Sequence, residues 1–324
     1  MVSQPFDAVL LVAFGGPQGP ADVRPFLANV LRGRRVTPER IEEVAHHYEI
    51  FGGVSPLTDL TMHQGRALEG RLRDRGLALP VHVGMRNWHP FLSDVVADLS
   101  RQGARRVIGV LAAAQRSYSG CAQYKENVRD ARGTLRARGL PDVAVTYVND
   151  WHEHPGFIEA NADHVRDAIA RLPDGVQQSA RLVLTAHSIP VPMAARYPYE
   201  RNLQVSARLV AAAVGRSDWT LVYQSRSGRP EDPWLEPDVV NYLRAQHASG
   251  LRAAVLCPIG FLCDHVEVLY DLDVEAAEAC RRMGLAMARA SAVNVHPRFI
   301  DALADAVVDV WERYRRGVPI MVGV

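Results

Sequence analysis

The sequence predicts an α/β protein made of two similar halves, each built around a parallel sheet. Short apolar runs rich in Val, Ile and Leu recur along the 324 residues, and each ends in a Gly, Pro or polar turn. A longer segment with helical periodicity follows most runs, which is the alternation expected of βαβ units. Hydrophobic residues make up 48% of the chain, so it can bury a large core, and its length favours two domains.

Each half contains four predicted strands. The chain is expected to divide near Asn149 to Pro155, giving halves 1–150 and 151–324. The segment 297–316 begins with a proline and carries apolar residues at helical spacing, so we expect a terminal helix that packs back on the first half. The predicted strands are 8–13, 81–85, 107–112 and 143–148 in the first half, and 182–186, 220–223, 253–257 and 292–295 in the second.

Charge and the N-terminus exclude several classes of protein. The 37 basic and 36 acidic residues nearly cancel, so a nucleic-acid partner held by bulk electrostatics is not expected. The apolar run from Ala8 to Phe14 lacks a preceding basic region and is too short for a signal peptide or membrane span. The four cysteines include no CxxC pair, which favours reduced thiols. We therefore expect a cytoplasmic protein without an integral membrane segment.

Ligands of open parallel sheets bind at the carboxyl ends of strands. The first predicted strand runs into GGPQGP, whose spacing fits neither common phosphate-binding fingerprint, so it supports a nucleotide site only weakly. The segment Arg32, Gly33, Arg34, Arg35 offers guanidinium groups to ligand carboxylates, although a solvated turn explains it equally well. Ser55, in GGVSP, offers a hydroxyl to an acidic substituent.

His187 follows a strongly apolar predicted strand in LVLTAHSIP. A histidine at the carboxyl end of a strand is placed to act as a base or a metal ligand. The alternative is that its ring only caps local backbone groups. The sequence around this residue leaves both roles open.

An acidic row is predicted between Cys257 and Cys280. Glu267, Asp271 and Glu275 are four residues apart, and each step advances about 40° around an α-helix, so they share one face. Like charges at this spacing weaken a helix, and a divalent cation would offset the repulsion. A solvated acidic face is the alternative. Because Asp264, His265 and His187 add further donors, a loose site for ferrous, zinc or cobaltous ions is predicted.

Seven segments in this order resemble the ferrochelatase family, and the resemblance covers nearly the whole chain. It implies two Rossmann-like, chelatase-type halves, each with a four-stranded parallel sheet flanked by helices, and a cleft between them for a porphyrin. It also implies that His187 and Glu267 are the catalytic and metal-binding residues. The segments are LLVAFGGP, HYEIFGGVSPL, VGMRNWHPF, SYSGCAQY, LTAHSIP, QSRSGRPEDPWLEP and PIGFLCDHVEVLYDLD.

The resemblance also suggests how the substrates bind. It implies that Ser55 and Tyr124 contact the tetrapyrrole, that Phe14 lies against its face, and that Arg32 pairs with a propionate. Asp271 and Glu275 would extend the acidic row outward as a path for metal or protons. Compact bacterial members resemble coproporphyrin ferrochelatases, so the expected reaction inserts ferrous iron into coproporphyrin III to give coprohaem, with protoporphyrin IX as the alternative ring.

Three positions depart from the family pattern. Phe14 stands where some relatives have a tyrosine that ligates product iron, and Asn87 replaces an aromatic residue beside Trp88. Cys121 matches a cysteine that helps to hold a two-iron two-sulfur cluster in some members, but their C-terminal cysteine group is missing here. We therefore predict no iron–sulfur cluster and no required cofactor. A monomer is expected.

Three other functions remain open at this stage. The same donors would suit a chelatase that inserts cobalt or nickel into another tetrapyrrole. A two-lobed carrier could bind haem or metal without turnover. A nucleotide-dependent α/β enzyme is disfavoured by the missing phosphate fingerprint.

Overall fold

Two four-stranded sheets, one in each of two compact units, organise the chain. The computed structural model describes residues 4–33, 36–227 and 231–318. Unit 1 comprises the described residues of Met1–Ala112, Ser119–Trp151 and Ile300–Val324, and unit 2 comprises those of Ala113–Tyr118 and His152–Phe299. All strand pairs in both sheets are parallel.

The sheet of unit 1 has the strand order β2-β1-β3-β4. All six residues of the central strand β1 are buried, as expected of a strand covered on both faces. Leu10 of β1 is in register with His82 of β2 and Gly109 of β3. The strands are β1 (Ala8–Ala13), β2 (Val81–Met85), β3 (Arg106–Leu111) and β4 (Ala144–Tyr147). The helices are α1 (Pro20–Val30), α2 (Pro38–Ile50), α3 (Pro56–Asp74), α4 (Leu92–Arg101) and α5 (Gln123–Ala137), and the π-helical turn π1 (Tyr118–Ala122) precedes α5.

The sheet of unit 2 has the matching order β6-β5-β7-β8. Leu184 of the central strand β5 is in register with Leu221 of β6 and Cys257 of β7. The strands are β5 (Arg181–His187), β6 (Trp219–Gln224), β7 (Ala253–Cys257) and β8 (Ala286–Arg289). The helices are α6 (Pro155–Ala170), α7 (Val191–Ala194), α8 (Tyr199–Ala213), α9 (Val239–Ala248), α10 (Val266–Val268) and α11 (Ala277–Met283), and the π-helical segment π2 (Leu269–Ala276) lies between α10 and α11.

Both sheets contain a topological switch point. Strand β1 lies between β2 and β3, and β5 lies between β6 and β7, so the chain winds in opposite directions on either side of each first strand. Open α/β sheets bind ligands in the crevice that this reversal leaves at the carboxyl ends of the strands. The residues that follow β1, β3, β5 and β7 are therefore the first candidates for a site.

Seven of the eight predicted strands match observed strands to within one residue at either end. The eighth prediction, 292–295, is wrong, because the last strand is β8 at Ala286–Arg289. Ala292 and Val293 are buried in a loop, and the backbone N–H of Ala292 donates to Asp264 instead of to a strand. The sequence AMAR has no β-branched residue, so pairing with β7 determines this strand and local propensity gives little sign of it.

The last helix, α12 (Pro297–Arg315), contributes Ile300 and the residues after it to unit 1. Within that unit, Arg75 pairs with Asp301 at 3.0 Å and also with Asp305, and Arg71 pairs with Asp301 at 3.0 Å. The two units divide between Trp151 and His152, but neither is a continuous half of the chain, since Ala113–Tyr118 belongs to unit 2 and the described residues from Ile300 onward belong to unit 1. Every helix within the described ranges is too short or too polar to span a membrane.

Candidate active site

His187 is the last residue of β5, at the switch point of unit 2. Its ring Nδ1 contacts the backbone carbonyl oxygen of Ser188. A carbonyl oxygen can only accept a hydrogen bond, so Nδ1 carries the proton in the neutral ring and Nε2 keeps its lone pair. The Nε2 atom lies 3.8 Å from Oε2 of Glu267. The imidazole therefore presents a base or metal donor beside a carboxylate.

Glu267 is placed by α10, which follows the loop after β7. The same carboxylate oxygen, Oε2, lies 3.5 Å from Nε2 of His265, so one carboxylate faces two imidazoles. The side chain of His265 is 17% exposed, against 32% for His187 and 44% for Glu267. His265 packs against the ring of Phe261, with 5.2 Å between centroids. His187 and Glu267, which the sequence predicts as a pair, do meet in the structure.

The acidic row continues into π2 rather than along an α-helix. The predicted 40° steps assume α-helical winding, so that part of the prediction is wrong, although residues four apart remain within one turn of the wider helix. Oδ2 of Asp271 accepts hydrogen bonds from Ser225 Oγ and, at 3.1 Å, from Gln224 Nε2. Gln224 is the last residue of β6, and Ser225 is the first residue of the following loop. Their hydrogen bonds therefore hold Asp271 against the carboxyl end of the sheet.

Burial raises the pKa of Asp271 to about 7. The negative charges of Glu267 and Glu275 contribute to this raised pKa, and the hydrogen bonds from Ser225 and Gln224 oppose the shift because they stabilise the carboxylate. Glu275 is exposed and lines a surface pocket of about 500 Å³. In the acidic row, Asp271 stands between Glu267 and the exposed Glu275. Its carboxyl can therefore gain and lose a proton near neutral pH.

Asp264 has a structural role and does not belong to the row. Its Oδ1 accepts from Arg289 at 2.7 Å and from the backbone N–H of Ala292 at 3.1 Å, and its Oδ2 accepts from Asn294 at 2.8 Å. Arg289 also binds Asp273 through two hydrogen bonds of 2.7 and 2.8 Å. These bonds hold the loop after β8 and use both oxygens of the Asp264 carboxylate. The sequence-based prediction that Asp264 is a further metal donor is therefore not supported. Among the described residues, no group of three His, Cys, Asp or Glu side chains is arranged to hold a metal ion.

In unit 1, Phe14 follows β1 and Tyr124 lies in the first turn of α5. The guanidinium of Arg86 stands over both rings, 5.7 Å from the centroid of Phe14 and 5.8 Å from that of Tyr124. Its NH1 donates to Gln123 Oε1 at 2.7 Å. Arg86 follows β2 directly, and its backbone N–H donates to Ala13. Phe14 and Tyr124, the two aromatic residues predicted to contact the porphyrin, therefore share one cation, the guanidinium of Arg86.

The two glycine-rich turns of unit 1 pack against each other. The backbone N–H of Ser55 donates to Pro17 at 2.8 Å. A Cβ atom at Gly16 would lie 2.7 Å from Cβ of Ser55, and one at Gly53, which has φ +74°, would lie 2.5 Å from Cα of Pro20. Both glycines are therefore required for this close backbone approach. Ser55 is 2% exposed, and its hydroxyl accepts from Leu57 as the N-cap of α3.

Arg32 is connected to the loop after β2 by two hydrogen bonds through Asn29. Its NH2 donates to Asn29 Oδ1 at 2.7 Å, and Asn29 Nδ2 donates to the carbonyl of Asn87 at 3.1 Å. Asn87 is buried, and Trp88 next to it donates to Asp22 at 3.2 Å. The neighbouring positions 34 and 35, which the sequence groups with Arg32, lie outside the described residues.

Comparison with known proteins decides the family, since the ferrochelatase family model matches residues 6–310. The chain belongs to the ferrochelatase family. A coproporphyrin III ferrochelatase of Mycolicibacterium smegmatis is 47% identical over 318 residues, which cover 97% of this chain and 91% of that protein. A ferrochelatase of Rhodopirellula baltica is 46% identical over 304 residues, covering 94% and 86%. Family membership makes the chain a lyase whose substrates are a porphyrin and iron.

A solved chelatase has the same fold. The sirohydrochlorin chelatase SirB of Bacillus subtilis subspecies spizizenii, in complex with cobalt, matches with a TM-score of 0.58 over 94% of this chain and 95% of that chain. The sequences are 13% identical, so this likeness concerns the fold alone. Two Rossmann-like halves of the chelatase type are thereby confirmed.

Two residues of the quoted ferrochelatase motifs have contacts that the sequence does not reveal. Arg86 is not among the predicted site residues, and His265 is predicted only as a further donor, not as a direct neighbour of Glu267. Arg86 lies inside VGMRNWHPF and is the first residue after a predicted strand, a position that marks a site in a parallel sheet. His265 lies two residues before Glu267, and only the turn after β7 brings both side chains to one place. A third residue, Tyr199, contacts the backbone of His187 from twelve residues further along the chain.

Proposed function

We propose that this chain inserts ferrous iron into coproporphyrin III to give coprohaem. The observation that carries the proposal is the pairing of His187 Nε2 with Glu267 Oε2 at the switch point of unit 2, in a member of the ferrochelatase family. The ring assignment is supported by the name of the relative that is 47% identical over 97% of this chain.

The reaction requires a base but no electron carrier. Two pyrrole N–H groups of the free porphyrin each lose a proton, the metal forms bonds to the ring nitrogens, and iron remains ferrous throughout. A preorganised base, a loose metal donor and a surface that favours a bent ring are sufficient, because a bent ring exposes its nitrogen lone pairs. We therefore propose that no resident cofactor is needed and that ferrous iron enters as a substrate.

In this proposal His187 accepts a proton from the porphyrin. Its Nδ1 is directed at the Ser188 carbonyl, so the lone pair of Nε2 is available. Glu267 orients the imidazole or the incoming ion, since nitrogen and carboxylate donors suit ferrous iron. Asp271, with its pKa of about 7, relays protons or ions to the exposed Glu275.

We assign the ring contacts to unit 1. Phe14 lies against the porphyrin face, Tyr124 contacts its edge, and Arg32 pairs with a propionate. Ser55 is the least accessible of the four predicted contacts, because its side chain caps α3. Coproporphyrin III carries more propionates than protoporphyrin IX, so the preference between the rings depends on cationic and hydrogen-bonding groups of this kind.

Anaerobic initial rates with ferrous iron test the proposal. We expect a higher kcat/KM with coproporphyrin III than with protoporphyrin IX, and Asp271→Ala should mainly raise the iron concentration needed for half-maximal rate. Faster turnover of protoporphyrin IX would contradict the ring assignment. Stoichiometric binding without product would indicate a carrier, and a preference for cobalt or nickel would indicate a different chelatase.

We also propose that the enzyme works as a monomer in the cytoplasm. The cysteines are sparse and include no CxxC pair, which supports the cytoplasmic part of this proposal. Light scattering on the purified chain and fractionation of the producing cells test the two statements. A stable dimer at assay concentrations, or recovery with membranes, would contradict them.

A further inference from the structure

The peptide group between His187 and Ser188 is held at both of its ends. Its N–H, which belongs to Ser188, donates to the carbonyl of Gln224 at 2.8 Å. Its C=O, which belongs to His187, accepts from the hydroxyl of Tyr199 at 3.0 Å. Because a peptide group is planar, these two bonds together fix its rotation about the chain. Tyr199 is the first residue of α8 and is 6% exposed, so water does not readily replace its hydroxyl.

The orientation of this peptide group determines where the imidazole points. The ring Nδ1 of His187 is bonded to the carbonyl of Ser188, the next carbonyl along the chain. Ser188 is anchored from its side chain as well, since its Oγ donates to Leu235 at 2.8 Å. If the 187–188 peptide turned, the His187 side chain and the Ser188 carbonyl would move relative to each other. The direction of Nε2 towards Glu267 would then be lost.

We propose that Tyr199 is a positioning residue for metallation, which holds the 187–188 peptide so that Nε2 of His187 faces Glu267. This inference rests on the proposed function, because it gives Tyr199 a role only through His187. Burial and the neighbouring Tyr223 raise the pKa of Tyr199, so its phenol remains a hydrogen-bond donor at every working pH.

Tyr223 provides a matched control in the same unit. It is 4% exposed, and its hydroxyl donates to Glu200 Oε1 at 3.2 Å and not to the His187 peptide. Its pKa is also raised by burial. Tyr223→Phe and Tyr199→Phe therefore each remove one buried phenol hydroxyl, but only Tyr199→Phe removes the bond to the backbone of His187.

The test compares both variants as the full chain, using anaerobic turnover and the ring ¹⁵N signals of His187 assigned with His187→Ala. We expect Tyr199→Phe to lower kcat by about ten- to a hundredfold, the effect of misplacing a reacting group. The porphyrin KM and the stoichiometry of porphyrin binding should stay close to wild type. The Nδ1–H signal of His187 should broaden or shift. In Tyr223→Phe, kcat and the signal should both be unchanged.

Several results would overturn the inference. Wild-type kcat in Tyr199→Phe, an equal loss in Tyr223→Phe, or a lower kcat with an unchanged Nδ1–H signal would each show that the hydroxyl does not act by positioning His187. Failure of the proposed function has a different signature. In that case His187→Ala would turn over like the wild type, whereas the His187 signal in Tyr199→Phe would still report whether the peptide is held.

Discussion

Replacing Asp271 with asparagine should stabilise the protein increasingly as the pH rises. Asparagine keeps an oxygen that can accept from Ser225 and Gln224, and it removes only the charge. The folded-state pKa of the Asp271 carboxyl is about 7, raised by burial from its ordinary value of 3.8. The folded chain therefore binds this proton more tightly than the unfolded chain, and ionisation of Asp271 costs stability.

The pH window follows from these two values. Below about pH 4 the Asp271 carboxyl is protonated in both the folded and the unfolded chain, so its ionisation costs no stability. As the pH rises, this cost grows until the carboxyl of the folded chain has also ionised, near pH 7. The linkage relation gives a penalty of about 2 kcal/mol at pH 5 and about 4 kcal/mol at pH 8 as upper limits. Relative to wild type, Asp271→Asn should therefore gain about 2 to 3 kcal/mol between these pH values.

Guanidinium unfolding at pH 5 and pH 8 measures this gain. Asp174→Asn is the control, because Asp174 is an exposed carboxyl in the same unit and its replacement should change the unfolding free energy by less than about 0.5 kcal/mol. If Asp271→Asn and wild type kept the same stability difference at both pH values, the carboxyl would not be held protonated by burial. The proton-relay role assigned to it would then lose its physical basis.

Three further substitutions test the supporting structure. Arg289→Met leaves two acidic partners without their cation and should cost about 3 to 5 kcal/mol in unfolding free energy, so a loss below 1 kcal/mol would contradict the structural role of that network. Arg86→Gln removes the cation that stands over the rings of Phe14 and Tyr124, the two aromatic residues proposed to contact the porphyrin, and should weaken porphyrin binding about fivefold in a fluorescence titration; unchanged affinity would contradict the placement of the porphyrin beside these two residues. Asp238→Ala removes the N-cap of α9, which accepts from two backbone N–H groups at 3.0 Å, and should lower the unfolding free energy by about 1 kcal/mol while leaving kcat unchanged.

Most of the fold could be predicted because the strands carry their own signal. The runs at Ala8–Ala13 and Ala253–Cys257 are apolar throughout and buried on both faces, so sequence and structure agree to the residue. The strand Ala286–Arg289 could not be predicted, since its four residues acquire their conformation from pairing with β7. The apolar segment after it is buried without forming a strand, because Asp264 satisfies part of its backbone.

The site divides in the same way. The proximity of His187 to Glu267 could be predicted, because each residue follows a strong strand or turn signal within a family motif. The π-helical winding around Asp271 could not, because an acidic row at i,i+4 reads as an α-helix unless the backbone is known. The contact of Tyr199 with the His187 carbonyl depends on where α8 begins in space, and no local pattern encodes it.

Iron insertion per bound porphyrin in His187→Ala tests most directly whether His187 is the base for metallation. Under anaerobic conditions the variant is loaded with coproporphyrin III, binding is quantified by absorbance, and ferrous iron is added in a single-turnover experiment. If His187 is the base, the porphyrin site should be fully occupied and no coprohaem should form on the time scale of wild-type turnover. Coprohaem appearing at the wild-type rate would contradict it, because the base would then have to be another group.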